Sequence, residues 1–407
     1  MKKILLGNEA IAQGLLENGC CFAASYPGTP ASEILSSFVR MAKAAESPAM
    51  GEWSINEKVA FETALAVSYS GGRAAVSMKQ VGLNVACDPF MSSAYTGVKG
   101  GFLVISADDP GPHSSQTEQD SRMMAMMAKV PVLDPSSPEE AKEMVQLGFQ
   151  ISEEFEIPVM IRPTTRVCHS RQVVAPGKII TPPTPSGFQK DPQRWAATPR
   201  YRFVLHEQLN QKIDAIAEKY GEKAFIKILG GRNASQCILS SGVALAHAYD
   251  LLKGLSLEDQ ISLYQVKMPY PLNAKFIIEK ITPYKDILVI EETDPVMEMQ
   301  LALRDRVKGR MDGSIPPQGE LIPDVLEKCI CNFAGKTGET RHAPAGRPRR
   351  PTLCPGCPHR AAFYAIRQTF PNGIYPSDIG CYTLGLNLGA VDTVLCMGAA
   401  VSQAAGF

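Results

Sequence analysis

The stretch FAASYPGTPASEI, residues 22–34, decides the fold class of the chain. Phe22–Ser25 is a short apolar run that fits a buried strand, and a helix-like segment follows it. Thr29 can cap that helix, Pro30 suits its first turn, and Gly28 permits close backbone approach. A strand that leads directly into a helix indicates the α/β class, and taken alone this loop is an ordinary strand-to-helix turn.

The same alternation extends on both sides of this stretch, from residue 1 to about residue 175. Helix-like segments separate most of the other candidate strands, which are Ile4–Leu6, Ala74–Met78, Phe102–Ser106, Val130–Leu133 and Val159–Ile161. Such alternation predicts a parallel sheet with helices on both faces, in which ligands bind where the carboxyl ends of strands meet loops. We therefore predict an α/β protein built from several doubly wound parallel-sheet domains.

The length of 407 residues predicts about two to three domains. Changes in composition place the boundaries at a first domain (1–175), a Pro-rich linker (176–200), a second α/β domain (201–334), a basic linker (335–351) and a third domain (352–407). In the second domain, strands are predicted at Phe225–Leu229, Gln236–Ser240, Ile261–Val266 and Ile287–Glu291, and helices at Val243–Leu252, Ala274–Ile281 and Val296–Val307. Nothing in it has a catalytic signature, and its acidic runs EET (291–293) and EMQ (298–300) are predicted to be surface turns.

Charge and hydropathy exclude several classes of function. The chain has 41 basic and 41 acidic side chains, so no electrostatic attraction to nucleic acid or to an anionic membrane is expected. No apolar run approaches the roughly 20 residues of a membrane span, and the apolar start of the chain is too short for a signal peptide. The 11 cysteines are therefore expected to be reduced thiols in the cytoplasm, some of them as metal ligands.

The densest chemistry of the sequence lies near its C-terminal end. Cys354 and Cys357 form a CxxC on a Pro/Gly loop, and Cys381 follows a predicted helix, Pro358–Phe370, and a predicted strand, Ile374–Ile379. Soft thiolate ligands at this spacing suit zinc or an iron–sulfur cluster. A lone CxxC is equally compatible with a redox pair or with two unconnected thiols.

Three motifs in this stretch resemble the thiamine-diphosphate-binding domain of 2-oxoacid:ferredoxin oxidoreductases: CPGCPHR (354–360), SDIGCYTLG (377–385) and DTVLCMGAAVSQAAGF (392–407). The CPGCPHR form is similar to that of alpha subunits in the indolepyruvate subgroup. The resemblance covers the whole chain, in the order pyrimidine-binding domain, transketolase C-terminal-like domain and start of the diphosphate-binding domain. Because that last domain lacks its Gly-Asp-x motif and the downstream Asn that would hold magnesium, we expect the chain to be C-terminally incomplete.

The resemblance implies roles for the residues of this third domain. It assigns Cys354, Cys357 and Cys381 to a [4Fe-4S] cluster whose fourth ligand lies further along. It also assigns Asp378 and Gly380 to the binding of thiamine diphosphate, which is held together with Mg²⁺.

Two motifs of the first domain resemble the cofactor loops of the same family. YPGTP (26–30) is similar to a Tyr-Pro-x-Thr-Pro loop, which implies that Thr29 and Gly28 lie beside the cofactor. Glu57 opens an Ala-rich helix, where an acid commonly complements the helix dipole. The resemblance implies instead that Glu57 hydrogen-bonds the aminopyrimidine ring and promotes loss of the thiazolium C2 proton. Glu52 and Glu62 are competing carboxylates that lie outside the matching motif.

The polar loop SADDPGPHSSQTEQDSRMM, residues 106–124, follows a predicted strand and by itself suits a solvated surface loop. It resembles the segment on the substrate side in this family. The resemblance implies substrate contacts for five of its side chains, with the last as the nearest choice for binding the 2-oxoacid carboxylate: His113, Gln116, Glu118, Gln119 and Arg122.

For the complete enzyme, the resemblance implies oxidative decarboxylation of an aryl 2-oxoacid, indolepyruvate, in which coenzyme A takes the remaining acyl group to form the acyl-CoA. Electrons would pass singly through iron–sulfur clusters to ferredoxin, and a beta subunit would complete the enzyme. Two alternatives share the fold: a thiamine-diphosphate enzyme without redox chemistry, and an inactive fragment that serves as a partner-binding scaffold. This chain alone is expected to be inactive.

Overall fold

Strands and helices alternate through residues 2–174, as the sequence pattern predicts. The computed structural model describes residues 2–231, 234–301, 305–336 and 351–407. The elements of the first part are, in chain order, β1 (Lys3–Leu6), α1 (Gly7–Glu17), β2 (Phe22–Ser25), α2 (Ser32–Ala44), β3 (Met50–Trp53), α3 (Glu57–Tyr69), β4 (Ala74–Lys79), α4 (Gln80–Val85), α5 (Cys87–Thr96), β5 (Phe102–Ala107), α6 (Ser121–Ala128), β6 (Val132–Leu133), α7 (Pro138–Phe155), β7 (Val159–Ile161), α8 (Thr165–His169) and β8 (Arg171–Val174).

Six of these strands form one parallel sheet in the order β3-β2-β4-β5-β7-β6. Its central strands are buried on both faces, with Phe102–Ala107 buried throughout, because helices cover the two sides. The register pairs Ser25 with Ser77 and Lys79 with Ala107. The carboxyl ends of β2, β4 and β5 therefore lie side by side at one edge of the sheet.

Two strands of the first part, Met50–Trp53 and Arg171–Val174, lie where the sequence pattern did not predict them. Met50–Trp53 is an exposed edge strand of the six-stranded sheet. Its sequence, MGEW, contains Gly and Glu and therefore lacks the apolar run by which buried strands are predicted. The predicted strand near residue 4 does form, but it pairs antiparallel with Arg171–Val174 in a separate ribbon. Neither strand is buried on both faces, so neither has the continuous apolar run of the central strands.

A second sheet follows. Its elements are α9 (Pro192–Trp195), α10 (Pro199–Gly221), β9 (Phe225–Leu229), β10 (Gln236–Ser240), α11 (Gly242–Gly254), β11 (Ile261–Val266), α12 (Ala274–Ile281), β12 (Asp286–Ile290), α13 (Val296–Gln300), β13 (Val307–Lys308) and α14 (Pro323–Phe333). The strand order is β13-β12-β10-β11-β9, with only the edge strand β9 antiparallel among the described strands of this sheet. Part of the helix predicted at Val296–Val307 lies outside the described residues.

The two sheets share a hydrophobic core. Helix α10 precedes the second sheet, but its apolar stripe, Leu209, Ile213 and Ile216, is buried in the core of the first sheet. Met268 and Tyr270, from the loop after β11, join the same core. Burial of this stripe holds the two sheets together as one compact unit, residues 1–340.

Residues 341–407 form a second compact unit. Its elements are α15 (Pro358–Thr369), β14 (Pro376–Ser377), a 3₁₀ helix (Cys381–Leu388), β15 (Thr393–Val394) and α16 (Ala399–Gly406), with β14 and β15 paired in parallel. A small core forms around Leu353, Phe363 and Val391. Most of the predicted linker at 335–351 lies outside the described residues.

None of the helices in the described ranges combines the length and the apolar character needed to cross a membrane.

Candidate functional site

Several residues of the first unit that could bind a ligand lie together at the carboxyl edge of the six-stranded sheet. The loop after β2 brings Gly28 and Thr29 to this edge, and β4 ends there at Lys79. Asp109 follows the end of the next strand, β5. Ligands of open α/β sheets bind at such edges.

Glu57 projects toward this edge from the first turn of α3. The helix begins there because the Asn56 side chain accepts a hydrogen bond from the Val59 amide. Glu57 is partly buried, and burial raises the pKa of its carboxyl group above the ordinary value. No side chain or backbone group of another described residue donates a hydrogen bond to this carboxylate.

Gly82, in helix α4, supplies the space that Glu57 occupies. A Cβ atom built on Gly82 would lie 2.5 Å from Glu57 Oε1. Only glycine therefore lets the carboxylate rest against this turn of the helix. The two competing carboxylates lie elsewhere: Glu52 is exposed on the edge strand, and Glu62 is exposed and paired with Lys58.

Gly28 and Thr29 face Lys79 across the edge. A Cβ atom built on Gly28 would lie 3.1 Å from Lys79 Cβ, so the backbone here approaches the lysine closely. Thr29 is exposed, and its carbonyl oxygen accepts a hydrogen bond of 3.4 Å from Ser114 Oγ. Lys79 Nζ donates to the Ser114 carbonyl oxygen at 2.6 Å.

The start of the polar loop is tied to the sheet by Asp109. Its Oδ2 accepts hydrogen bonds from the Ser114 amide at 2.9 Å and from Ser115 Oγ at 2.6 Å, and its Oδ1 accepts from Thr165 Oγ1 at 2.7 Å. Burial alone would raise the pKa of Asp109, but these hydrogen bonds lower it below its ordinary value. Asp109 is therefore an ionised anchor of the loop.

The substrate candidates of the polar loop have different surroundings. His113 is exposed and lies with Nε2 3.1 Å from Glu320 Oε2, and Gln116 is exposed with no hydrogen-bond partner among the described residues. Glu118 accepts hydrogen bonds from the amides of Gly111 and Gly319, both at 3.0 Å, so it joins two loops. The Gln119 side chain pairs with Asn84.

The structure does not support Arg122 as the group that binds a substrate carboxylate. Its side chain is fully buried. Its guanidinium donates to Asp120 Oδ2 at 2.7 Å, to Glu291 Oε2 at 3.1 Å and to the Asp294 carbonyl oxygen at 3.0 Å. The adjacent carboxylates raise the pKa of Arg122 and hold it charged, although burial opposes this. Protein groups thus take up the donors that a substrate would need.

The acidic runs EET and EMQ are not surface turns. Glu291, Glu292 and Glu298 are 1%, 3% and 7% exposed. Glu291 accepts hydrogen bonds from the amides of Met297 and Glu298, and Glu292 accepts one of 2.6 Å from the Leu321 amide. The prediction of surface turns was wrong because it rested on the polarity of these runs alone. The arginines that neutralise the buried carboxylates lie far away in the sequence, so the local pattern does not show them.

Arg162 is a second buried arginine. Together with Arg122 and the carboxylates around the two arginines, it forms a buried ionic cluster: Asp108, Asp120, Asp134 and Glu291. Arg162 Nε donates to Asp108 Oδ2 at 2.7 Å, and Asp134 lies 3.7 Å from both Arg162 Nη1 and Arg122 Nη1. Burial raises the pKa of Glu291 and of Glu292 to about 7. The cluster joins the first sheet to the second, and its members take no part in the open edge.

The residues predicted in the third domain lie in the second unit. Cys354 and Cys381 are exposed, and Cys357 is partly buried with Sγ 3.2 Å from His359 Nδ1. Asp378 Oδ1 accepts a hydrogen bond of 2.8 Å from the Ala400 amide, and Gly380 has a positive φ of 132°.

The three thiols do not form a ready ligand set. Across residues 2–231, 234–301, 305–336 and 351–407, no group of three or more His, Cys, Asp or Glu side chains is arranged to hold a metal ion.

Lys79 is the residue of this edge that the sequence reading missed. It follows the apolar run of β4 directly, and a cation at the carboxyl end of a predicted central strand is the signal that could have revealed it. Among the described residues, no carboxylate forms an ion pair with it.

Two solved structures share this fold. The 2-oxoglutarate:ferredoxin oxidoreductase from Magnetococcus marinus, solved with 2-oxoglutarate, coenzyme A and succinyl-CoA bound, superposes with a TM-score of 0.64 at 15% identity, over 82% of this chain and 65% of that one. A split-gene transketolase, an inactive beta4 tetramer, superposes with a TM-score of 0.51 at 15% identity, over 82% of this chain and 94% of that one. At this identity the likeness shows the fold alone.

Sequence comparison gives the family. The family model described as pyruvate flavodoxin/ferredoxin oxidoreductase, thiamine-diphosphate-binding, matches residues 13–184. Indolepyruvate oxidoreductase subunit IorA of Methanothermobacter thermautotrophicus is 40% identical over 100% of this chain and 68% of its own length. The subunit of the same name from Thermococcus kodakarensis is 41% identical over 98% of this chain and 65% of its own length. The chain belongs to the family of indolepyruvate oxidoreductase subunit IorA.

Proposed function

We propose that this chain is the subunit of an indolepyruvate:ferredoxin oxidoreductase that presents the catalytic carboxylate to thiamine diphosphate. The enzyme would convert indolepyruvate and coenzyme A to the acyl-CoA with one carbon fewer, with release of carbon dioxide and transfer of two electrons, one at a time, to ferredoxin. The names of the relatives and the matching family model support the reaction class. The position of Glu57 at the sheet edge is the single observation that carries the proposal for this chain.

The surroundings of Glu57 fit the pyrimidine side of thiamine diphosphate. When bound, the cofactor supplies a nucleophilic carbon and an electron sink for the loss of carbon dioxide. A partly buried carboxyl group with a raised pKa and no hydrogen-bond partner on another described residue can hold a proton on a ring nitrogen of the aminopyrimidine. Gly82 leaves the room in which Glu57 takes this position.

Thr29 and Gly28 lie at the same carboxyl edge of the sheet, in the loop after β2. Glycine at position 28 lets the backbone come close to a ring, and the exposed Thr29 hydroxyl can donate a hydrogen bond to a ligand. We assign these two residues to orienting the cofactor. The lining residues of the substrate side are then His113, Gln116 and Gln119, whereas Glu118 holds the loop closed against Gly319.

Asp378 and Gly380 are proposed to lie on the diphosphate side of the cofactor. Asp378 Oδ1 accepts the Ala400 amide at the start of α16, and its other carboxylate oxygen has no partner among the described residues. That oxygen is a hard ligand of the kind that Mg²⁺ prefers. The iron–sulfur cluster on Cys354, Cys357 and Cys381 stays a prediction of the family resemblance.

The proposed partners follow from the subunit names of the relatives and from the reaction. A beta subunit would complete the enzyme, and ferredoxin would accept the electrons. Coenzyme A would take the acyl group.

The test is an assay of the full-length protein purified without oxygen together with its partner subunit. We expect reduction of ferredoxin that requires indolepyruvate, coenzyme A and thiamine diphosphate together, with pyruvate and 2-oxoglutarate as poorer substrates. Carbon dioxide release without an electron acceptor would favour a non-redox thiamine enzyme. Failure of the complex to bind thiamine diphosphate would contradict the proposal and leave the scaffold alternative.

A further inference from the structure

Among the described residues, four cationic side chains lie at or just below the carboxyl edge of the first sheet, and carboxylates of the protein neutralise three of them. Arg122 and Arg162 are buried among the carboxylates of the ionic cluster. Arg166 pairs with Glu320, whose Oε2 lies 2.9 Å from Arg166 Nη2. Lys79 is the remaining cation, and no carboxylate of the described residues pairs with it.

Lys79 has spare donors in a partly buried position. Its ammonium group carries three N–H donors, and the Ser114 carbonyl oxygen accepts one of them at 2.6 Å. The nearby Asp109 carboxylate already accepts hydrogen bonds from Ser114, Ser115 and Thr165. Burial lowers the pKa of Lys79, and the charge of Asp109 offsets part of this effect. A partly desolvated ammonium group with two open donors is stabilised by a bound anion.

The position of Lys79 indicates which anion this is. Gly28 contacts its stem on one side, and Gln80, the next residue, begins the helix whose Gly82 supports Glu57. Lys79 therefore lies at the strand end that the loop of Gly28 and Thr29 approaches, directly before the helix that supports Glu57. A 2-oxoacid has its carboxylate one bond from the carbonyl carbon that reacts with the cofactor, so this anion must lie close to the residues that hold the cofactor.

We propose that the ammonium group of Lys79 binds the carboxylate of the 2-oxoacid substrate, in the role for which the sequence suggested Arg122. This inference rests on the proposed function and adds the group that selects 2-oxoacids from uncharged ketones and aldehydes. Ser114 holds the ammonium in place through its carbonyl oxygen, and the ionised Asp109 keeps Ser114 in position.

The first test measures steady-state kinetics of the full-length complex with Lys79→Met, Lys79→Arg and a matched control, Lys99→Met, which alters an exposed lysine paired with Glu156. A charge-assisted hydrogen bond lost from substrate binding predicts a KM for indolepyruvate about 10- to 100-fold higher in Lys79→Met. Lys79→Arg should keep KM within about 10-fold of the wild type because it retains the charge, and Lys99→Met should leave KM unchanged. Affinity for thiamine diphosphate should be the same in all four proteins.

An unchanged KM in Lys79→Met would overturn the inference. So would a fall in thiamine diphosphate affinity by the same factor, because Lys79 would then bind the diphosphate of the cofactor.

The second test separates this inference from the proposed function. Indolelactate, a 2-hydroxy acid that cannot be decarboxylated by the same route, and its primary amide are titrated into the cofactor-loaded complex. The wild type should bind the acid at least about 10-fold more tightly than the amide, and Lys79→Met should bind the two equally. If the wild type shows no preference, the inference fails even where indolepyruvate is turned over. If the preference depends on Lys79 but indolepyruvate is not turned over, the assigned reaction fails instead.

Discussion

Arg122 and Glu291 form a buried ion pair that joins the two sheets of the first unit, with 3.1 Å between Arg122 Nη1 and Glu291 Oε2 and at most 1% of either side chain exposed. Arg122 lies in the first turn of α6, and Glu291 directly follows β12. Asp120, which also binds Arg122, accepts hydrogen bonds from the amides of Thr293 and Asp294. Charge complementarity therefore fixes how the second sheet meets the polar loop.

Removing Arg122 should destabilise the protein strongly. In Arg122→Met, Asp120 and Glu291 lose their cation while they remain buried, and an uncompensated buried charge costs about 3–5 kcal/mol of unfolding free energy. Urea unfolding followed by circular dichroism measures this loss. Arg40→Met is the control, since Arg40 forms a solvent-exposed ion pair with Glu9 and should cost at most about 1 kcal/mol. Equal stability of the two variants would contradict the structural role given to Arg122.

Glu57→Gln should abolish turnover without affecting folding. The amide keeps the size of the side chain but cannot exchange a proton with the aminopyrimidine, so we expect kcat to fall by at least about 100-fold. The free energy of unfolding should change by less than about 0.5 kcal/mol, because no described residue hydrogen-bonds the carboxylate. Glu62→Gln on the exposed face of the same helix is the control and should retain activity. Full activity of Glu57→Gln would remove this residue from the mechanism.

Much of the fold could be predicted from the sequence because buried parallel strands are continuous apolar runs. Phe22–Ser25, Phe102–Ala107 and Ile261–Val266 lie where these runs indicate strands. The exposed edge strand Met50–Trp53 has no such run, and its pairing with β2 depends on contacts that a local pattern does not contain.

The site was harder to predict than the fold, since pairing between distant residues decides which charges are free. The sequence presents Arg122 as a cation in a polar loop, yet its partner Glu291 lies 169 positions away. Lys79 has no such carboxylate partner in the part of the chain that the structure describes, and its ammonium group donates to the Ser114 carbonyl oxygen. The motif of the polar loop places Arg122 near the site and no motif marks Lys79, so only the three-dimensional arrangement shows which of the two cations is neutralised by carboxylates of the described residues.

Glu292 should make the stability of the protein depend on pH. Burial raises the pKa of Glu292 to about 7 from an ordinary value of 4.5, although the Leu321 amide and Arg162 act in the opposite direction. Between these two pH values the folded state therefore holds a proton on Glu292 that the unfolded state has lost. The stability that comes from a protonated Glu292 is complete below about pH 4.5 and is lost as the pH rises through about 7.

The variant Glu292→Gln removes this titration and keeps an acceptor for the Leu321 amide. As the pH rises from about 5 to about 8, the unfolding free energy of Glu292→Gln should increase relative to that of the wild type by up to about 3 kcal/mol. Urea unfolding at several pH values measures the difference. Glu222→Gln, which changes an exposed carboxylate, should show the pH dependence of the wild type. A difference between Glu292→Gln and the wild type that does not vary with pH would contradict the prediction.

Gly82→Ala should lower activity while the protein remains folded. The added Cβ would lie 2.5 Å from Glu57 Oε1, so the carboxylate must move away from the edge where it serves the cofactor. A displacement of about 1 Å at a reacting group costs up to about 100-fold in rate, whereas alanine in a helix is up to about 1 kcal/mol more favourable than glycine. We expect kcat to fall at least about 10-fold with the unfolding free energy lowered by less than about 1 kcal/mol. Gly254→Ala, at the end of α11, meets no atom within 4 Å and should retain activity. If Gly82→Ala turned over indolepyruvate as fast as Gly254→Ala, Glu57 could not depend on its position against α4.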